Sequence, residues 1–144
     1  MGVLPAAQYT RRATDVARPW LTPRSPVFWG DRYSQRMASD YTPQEVSELL
    51  DRGEIQLIDV REPYEHEAGR IAGDRLVVLN ELALKADTID RDRPVVFYCR
   101  SGSRSAMATE AFRGAGYDAH NMEGGLLDWA AAGLPLEPDA GHVA

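Results

Sequence analysis

Short apolar runs and amphipathic stretches alternate along the chain from residue 40 onward. The apolar runs predict four strands, at 55–60, 75–79, 93–99 and 117–122. The strongest run is RPVVFYC, because five consecutive apolar positions are typical of a strand at the centre of a parallel sheet covered on both faces. Strands that alternate with helices predict the fold class α/β, with a small parallel β-sheet flanked by helices on both faces.

The amphipathic stretches predict the helices between these strands. The first helix follows a capping box, TPQE, with Pro43 at its first position, and Gly53 ends it. A short helix or turn is predicted within NELALKADTI, and a helix opened by glycine within GGLLDWAAAGLP. The longest helix is predicted over 104–115. Its inner stripe is expected to contain Met107, Ala108, Ala111, Phe112 and Ala115.

Several charged residues are expected to be solvated rather than chemically active. The segment REPYEHEAG predicts a short acidic helix, and its glutamates Glu62, Glu65 and Glu67 are expected to face solvent. His66 lies in the same helix and is expected to be solvated, and His120 is expected at the surface or the edge of the sheet. Neither histidine has a second cysteine or histidine nearby in sequence, so no metal site is predicted.

The domain organisation follows from a change of pattern near residue 40. Residues 1–39 show no sustained helical or strand period and contain four prolines, so they are predicted to be an irregular or partly disordered N-terminal extension. The aromatic residues Trp20, Phe28 and Trp29 leave two interpretations open, a floppy tail or a strap that docks on the domain or on a partner. Residues 40–138 are predicted to be the domain, and residues 139–144 a flexible C-terminal tail.

Length, composition and charge narrow the class of protein. A chain of 144 residues with 44 % hydrophobic residues suits one globular domain. The formal net charge of −6 argues against general nucleic-acid binding, which needs a basic face. Residues 1–39 contain six arginines and two aspartates, a charge of 6 − 2 = +4, so the remainder carries −6 − 4 = −10.

The sequence also indicates the cellular compartment in which the protein is expected. A single cysteine forms no internal disulfide, so the fold does not need an oxidising environment. The chain contains no run of 18 apolar residues, so no membrane-spanning helix is predicted. The first 30 residues lack the apolar segment of a secretory signal, so no secretory signal is predicted. The arginine-rich start resembles an organellar transit peptide, but its prolines interrupt any long amphipathic helix. The expected location is cytoplasmic, with no membrane partner.

The single cysteine, Cys99, lies where the central strand gives way to a helix. Ligands of open α/β sheets bind at the carboxyl ends of the strands. The segment that follows, CRSGSR, is small and polar, and Gly102 can adopt backbone angles closed to other residues. Such a loop curls so that its amides converge on one centre, which the positive end of the next helix also faces. Arg100 and Arg104 add positive charge.

These features favour a thiolate, which is the nucleophilic form of cysteine. A lone cysteine is more often a small buried hydrophobic residue, and composition alone favours that alternative. The loop reverses the preference, so Cys99 is the candidate nucleophile. Asp59 and Arg61 flank the end of the first strand, either bordering this site or forming a structural ion pair, and the ion pair is favoured. Gly124 and Gly125 either bring backbone close to the loop or form a simple turn.

Four segments, in order, resemble those of the rhodanese (sulfurtransferase) family. They are LIDVREPYEHEAGRIAG, LNEL, VVFYCRSGSRS and MEGGLLDWAAAGLPLE, and the resemblance covers about residues 41–138. The chain departs from the family pattern at Arg70, where histidine is usual, and at Ala72, where proline is usual. Neither position carries the chemistry, so both departures are treated as tolerated.

The resemblance implies that Cys99 accepts a sulfane sulfur from thiosulfate or a similar small anionic donor and holds it as a persulfide. A small thiol, cyanide or a protein thiol then removes the sulfur, which is covalent catalysis in two steps without a cofactor. The resemblance also implies a substrate-binding loop, whose amides hold the outer sulfur and whose guanidiniums attract the donor. It consists of Arg100, Ser101, Gly102, Ser103 and Arg104.

Other activities remain open at this point. Phosphatases with related folds carry the pattern Cys-x5-Arg, whereas this chain has Cys-x4-Arg and places Ser105 where their arginine stands. A shorter loop encloses a smaller ring of amides, which suits one sulfur better than a phosphoryl group, so phosphatase activity is disfavoured. A rhodanese-like binding module without turnover and a persulfide relay to a dedicated partner are the remaining alternatives.

Overall fold

The structure is a computed structural model that describes residues 40–144. The predicted extension, residues 1–39, lies outside the described residues. The two interpretations of its aromatic residues therefore stay predictions. Within residues 40–144, no helix is both long enough and apolar enough to cross a membrane.

A parallel sheet forms the centre of the described domain. Its strands are β1 (Gln56–Asp59), β2 (Arg75–Leu76), β3 (Val95–Tyr98) and β4 (Ala119–Asn121), in the order β2-β1-β3-β4. The central strands β1 and β3 pair in parallel over four residues each. All four residues of β3 are fully buried, as the continuous apolar run predicts. The second strand is shorter than predicted, since only Arg75 and Leu76 pair with β1.

The helices lie between the strands, as the amphipathic pattern predicts. They are α1 (Pro43–Asp51), α2 (Pro63–Ala68), α3 (Leu82–Lys85), α4 (Ser103–Gly114) and α5 (Gly125–Ala131). Short 3₁₀ turns, Leu79–Glu81 and Ala86–Thr88, flank α3. The capping box of α1 is present, since the amide of Glu45 donates to Thr42 Oγ1 and the amide of Thr42 donates to Glu45 Oε1.

Two apolar clusters cover the two faces of the sheet, because alternate side chains of a strand point to opposite faces. Val95 and Phe97 of β3 pack in one cluster, which also receives side chains from α3 and α4. Val96 and Tyr98 pack in the other cluster, with side chains from α1 and α5. The predicted sheet with helices on both faces is therefore confirmed.

The buried stripe of α4 differs from the predicted one. Met107, Ala111 and Ala115 are exposed. The buried positions, spaced as one helical face, are Ser105, Ala108, Thr109 and Phe112. Two of them are polar, and each hydroxyl finds a partner inside the protein, since Thr109 Oγ1 donates to the Ser105 carbonyl at 2.8 Å. A prediction based on apolar residues alone misses a buried helix face that includes polar residues.

Backbone contacts continue beyond residue 138, where the sequence placed the end of the domain. The amide of His142 donates to the carbonyl of Ala68 at 2.9 Å, and Val143 packs against one apolar cluster. The packed part of the chain therefore extends past the predicted boundary. The expected flexibility of residues 139–144 stays a prediction.

Candidate active site

The candidate site lies at the carboxyl end of the sheet, between its two central strands. Cys99 directly follows β3, and Val60 directly follows β1. From β1 the chain passes to β2 on one side, and from β3 to β4 on the other, so the strand order reverses between them. Such a reversal opens a crevice where α/β proteins bind ligands.

Three donors converge on the sulfur of Cys99. The amide of Gly102 donates to Sγ at 3.1 Å, the amide of Ser105 at 3.4 Å and the Ser105 hydroxyl at 3.3 Å. Gly102 has φ of 109°, a left-handed conformation that favours glycine and turns the loop back toward the sulfur. Because α4 begins at Ser103, its first amides have no partner within the helix and are available to the sulfur.

Burial and hydrogen bonding act on the thiol in opposite directions. Only 1 % of Cys99 is exposed, and this burial is the largest influence, which by itself raises the pKa of the thiol. The hydroxyl and amide of Ser105 and the amides of Gly102 and Ser101 lower the pKa, and together they outweigh the burial. The pKa of Cys99 is therefore below its ordinary value, and the thiolate is the favoured form over a wider pH range.

This pKa shift predicts the pH dependence of alkylation. Because the thiolate reacts with iodoacetamide and the thiol does not, the rate should rise with pH to a midpoint below that of the same cysteine in the urea-unfolded protein. Cys99 is the only cysteine of the chain, so mass spectrometry of the intact protein follows this site alone. A midpoint at or above that of the unfolded protein would mean that burial outweighs the hydrogen bonds.

Arg104 is held by a buried glutamate. Its Nη1 and Nη2 donate to Glu65 Oε2 and Oε1, both at 2.9 Å. The prediction that Glu65 faces solvent is wrong, since only 4 % of the residue is exposed. The hydrogen bonds from Arg104 lower the pKa of the Glu65 carboxyl, against the effect of its burial. The carboxylate thus fixes the guanidinium beside the loop and offsets its charge.

The remaining residues of the loop differ in exposure. Arg100, Ser101 and Ser103 are exposed, whereas Gly102 is buried. The Nε of Arg100 donates to the carbonyl oxygen of Ala144 at 3.0 Å. The expected attraction of an anionic donor by the two arginines stays a prediction.

Asp59 and Arg61 form an ion pair within the protein interior. Both side chains are 0 % exposed. The Nε of Arg61 donates to Asp59 Oδ1 at 2.8 Å, and its Nη2 donates to Asp59 Oδ2 at 2.7 Å and to the carbonyl of Gly69 at 2.8 Å. This geometry favours the structural ion pair over a role at the mouth of the site.

Both histidines are more buried than the sequence suggests. His66 is partly buried, and its Nε2 lies 3.1 Å from Asp74 Oδ1. His120 lies on the edge strand but is only 2 % exposed, because the ring of Tyr41 stacks on it with ring centres 4.5 Å apart. The expectation that His66 is solvated is therefore wrong. His120 lies at the edge of the sheet, which is one of its two expected positions, but it is not at the surface.

One cluster within residues 40–144 has the residue types of a metal site. Possible ligand atoms of Asp59, His66 and Asp74 lie within 4.8 Å of one another. These groups already have partners, since Arg61 holds Asp59 and the Tyr98 hydroxyl donates to Asp74 Oδ2 at 2.7 Å. We assign the cluster a structural role.

Gly124 and Gly125, at the start of α5, bring the backbone of this helix against the loop. The amides of Leu126 and Leu127 donate to the carbonyls of Cys99 and Arg100, at 2.8 and 3.0 Å. Gly125 has φ of +63°, and a Cβ at this residue would lie 2.5 Å from the Arg100 oxygen. The close approach of backbone is therefore preferred over a simple turn.

Gly125→Ala should destabilise the domain much more than Gly133→Ala. Both glycines have positive φ, but a Cβ at Gly133 meets nothing within 4 Å. Backbone strain costs about 1–3 kcal/mol in each variant, and overpacking should add about 1–3 kcal/mol at Gly125 alone. Urea unfolding of both variants gives the difference, and equal losses would contradict the close approach.

The sequence missed two residues that contact the site. The sequence pattern marks Ser105 only as the position of a phosphatase arginine, but in the structure the first turn of α4 directs its amide toward the sulfur. A helix that starts at residue 103 has Ser105 in its first turn, where the amides have no partner within the helix. Glu65 carries no such signal, because it meets Arg104 across 39 positions of sequence through the folding of α2 against the loop.

Comparisons with known proteins agree with this geometry. The model of the family described as "Rhodanese-like domain" matches residues 42–132. A sulfurtransferase from Allochromatium vinosum is 36 % identical over 61 % of this chain and 83 % of its own length. An HTH-type transcriptional regulator from Mycobacterium tuberculosis is 39 % identical over 67 % of this chain, which spans 46 % of that protein.

A solved structure gives the same result. The crystal structure of a rhodanese-related protein from Thermoplasma volcanium matches with a TM-score of 0.64 and 30 % identity. The match covers 68 % of this chain and 96 % of that one. The family match spans more than half of the chain and includes both central strands and the loop around Cys99. The chain therefore belongs to the rhodanese-like domain family.

Proposed function

We propose that this chain is a sulfurtransferase that carries a sulfane sulfur on Cys99 as a persulfide. The observation that supports the proposal most strongly is the convergence of two amides and a hydroxyl on the sulfur of the only cysteine. Donors that face a sulfur lower its pKa and prepare it for nucleophilic attack. The relatives named sulfurtransferase support the same class of reaction.

The proposed reaction has two half-reactions. In the first, the Cys99 thiolate attacks the outer sulfur of thiosulfate, an S–S bond forms, and sulfite leaves with the electron pair of the broken S–S bond. In the second, cyanide or a thiolate attacks the outer sulfur of the persulfide, and the Cys99 thiolate leaves. No proton or external oxidant is needed in either half-reaction when thiosulfate and cyanide are the substrates.

Thiosulfate is the proposed donor because it is small and anionic. Cys99 is only 1 % exposed, which disfavours bulky donors at the sulfur. Arg100 is exposed in the loop and can attract a dianion as it approaches. The charge of Arg104 is offset by Glu65, so we assign Arg104 mainly to the rigidity of the loop.

The loop differs from a phosphatase loop in its length. The Cys-x4-Arg spacing places Ser105, rather than arginine, at the sixth position after Cys99. The amide and hydroxyl of Ser105 face the sulfur itself. They are thus placed for a charged sulfur, whereas a phosphoryl group needs donors for three oxygens.

Two assays on the purified protein test this proposal. With thiosulfate and cyanide we expect thiocyanate to form, and with a phosphate ester such as p-nitrophenyl phosphate we expect no hydrolysis above the background. Efficient ester hydrolysis without thiocyanate would overturn the proposal in favour of a phosphatase. Activity in neither assay, together with no persulfide on Cys99, would support the binding module instead, and a stable persulfide with slow turnover would support a relay to a partner protein.

A further inference from the structure

The hydroxyl of Ser105 has two acceptors within reach. Its Oγ lies 3.3 Å from Cys99 Sγ and 3.2 Å from the carbonyl oxygen of Gly102. A serine hydroxyl carries one hydrogen, so it donates fully to only one acceptor at a time. Ser105 is 0 % exposed, and these two atoms are therefore the acceptors that the described protein offers to this buried group.

The carbonyl of Gly102 does not depend on this hydroxyl. It accepts from the amide of Ala106 at 3.0 Å and from Asn121 Nδ2 at 3.3 Å. These two donors occupy both lone pairs of the oxygen when the hydroxyl points to the sulfur, so the hydroxyl adds only a weak third hydrogen bond when it points to Gly102. The hydroxyl can turn to the sulfur without leaving a buried carbonyl unpaired.

The other donors to the sulfur have fixed directions. The amides of Gly102 and Ser105 belong to a backbone held by the loop and by the first turn of α4. The hydroxyl rotates about one bond, so its direction can follow the charge on the sulfur. A charged sulfur is a much stronger acceptor than a neutral one.

We propose that the Ser105 hydroxyl is a catalytic donor that turns between Cys99 Sγ and the Gly102 carbonyl during the sulfur-transfer cycle. It donates to Sγ in the thiolate, and to Gly102 in the persulfide, where the negative charge has moved to the outer sulfur. When the S–S bond breaks and Sγ takes back the electron pair, the hydroxyl returns to it. This inference rests on the proposed function.

The two half-reactions should respond differently to the loss of this hydroxyl. In the second one Sγ is the leaving group, and the hydrogen bond grows stronger as charge returns to it. In the first one Sγ is the nucleophile, and the hydrogen bond weakens as charge leaves it. Ser105→Ala should therefore slow the discharge of the persulfide by about 10- to 100-fold, the usual worth of a hydrogen bond to a charged group. It should not slow loading at a pH where the thiol is fully ionised.

Single-turnover measurements separate these steps. Loading is followed as sulfite release on addition of thiosulfate, and discharge as thiocyanate formation on addition of cyanide to the isolated persulfide. The alkylation rate against pH gives the thiol pKa of Ser105→Ala, which should be higher than that of the wild type because one donor to the thiolate is lost. This readout needs no sulfur transfer.

Thr109→Val is the matched control. Thr109 lies one turn further along α4, is 1 % exposed and also carries a buried hydroxyl, which donates to the Ser105 carbonyl rather than to the sulfur. We expect its two half-reactions and its thiol pKa to match the wild type. Equal slowing of discharge in both variants would assign the effect to the packing of the helix and overturn the inference.

The proposed function and this inference fail in different ways. If the wild type forms no persulfide, the proposed function is wrong. If the wild type loads and discharges normally and Ser105→Ala does the same with an unchanged thiol pKa, the function stands and the role of Ser105 is wrong.

Discussion

Cys99→Ser is expected to lower thiocyanate formation by at least about 10³-fold, the scale on which removal of a covalent nucleophile acts. A serine hydroxyl stays protonated at neutral pH and forms no persulfide, so neither half-reaction can start. The variant should remain folded, because oxygen is smaller than sulfur and can accept from the same two amides that face Sγ. Thiocyanate is measured by its iron complex, and the fold by circular dichroism.

A control on the helix that follows the loop makes this result specific. Met107→Ala changes a residue of α4 that is 62 % exposed and lies outside the substrate-binding loop, so the donors to the sulfur stay in place. We expect its turnover to stay within about twofold of the wild type, as for most surface substitutions. Substantial thiocyanate formation by folded Cys99→Ser would contradict a covalent role for Cys99.

Asp59→Ala is expected to reduce the free energy of unfolding by about 3–5 kcal/mol. The substitution leaves the Arg61 guanidinium buried without its carboxylate. Arg61 already has one nitrogen, Nη1, without a hydrogen-bond partner among the described residues, and Nη2 would keep only the Gly69 carbonyl. Unfolding in urea measures the loss, and a loss below about 1 kcal/mol, typical of an exposed pair, would contradict the burial of this ion pair.

The chain offers a matched pair at its surface. Arg52 and Glu54 are also two residues apart, and their side chains are more than half exposed. Glu54→Ala should cost about 0–1 kcal/mol, because an exposed pair is screened by solvent. The double variant Asp59→Ala with Arg61→Met should recover most of the stability, because an apolar side chain replaces the unpaired charge.

The sequence predicts the fold well because its main signals are local. The continuous apolar run of β3 predicts a central strand, and the capping box predicts the start of α1. The prediction fails where burial depends on contacts far apart in sequence. Glu65 is buried because Arg104 meets it across 39 positions, and His120 is buried because Tyr41 covers it. No local pattern reports such pairs.

The sequence also predicts only part of the candidate site. The loop around Cys99 is recognisable because a strand, small residues and a helix start follow one another without interruption. The direction of the Ser105 hydroxyl and the engagement of Arg104 are tertiary features. Glu65 partly offsets the charge of Arg104, which the sequence predicts beside the thiol. Hydrogen bonds from the loop lower the pKa of the thiol.

The intact mass of the protein after incubation with thiosulfate shows whether Cys99 carries a sulfur. We expect a gain of one sulfur, about 32 Da, in the wild type, its removal by cyanide, and no gain in Cys99→Ser. An unchanged wild-type mass, or an equal gain in Cys99→Ser, would contradict a sulfur held at this residue.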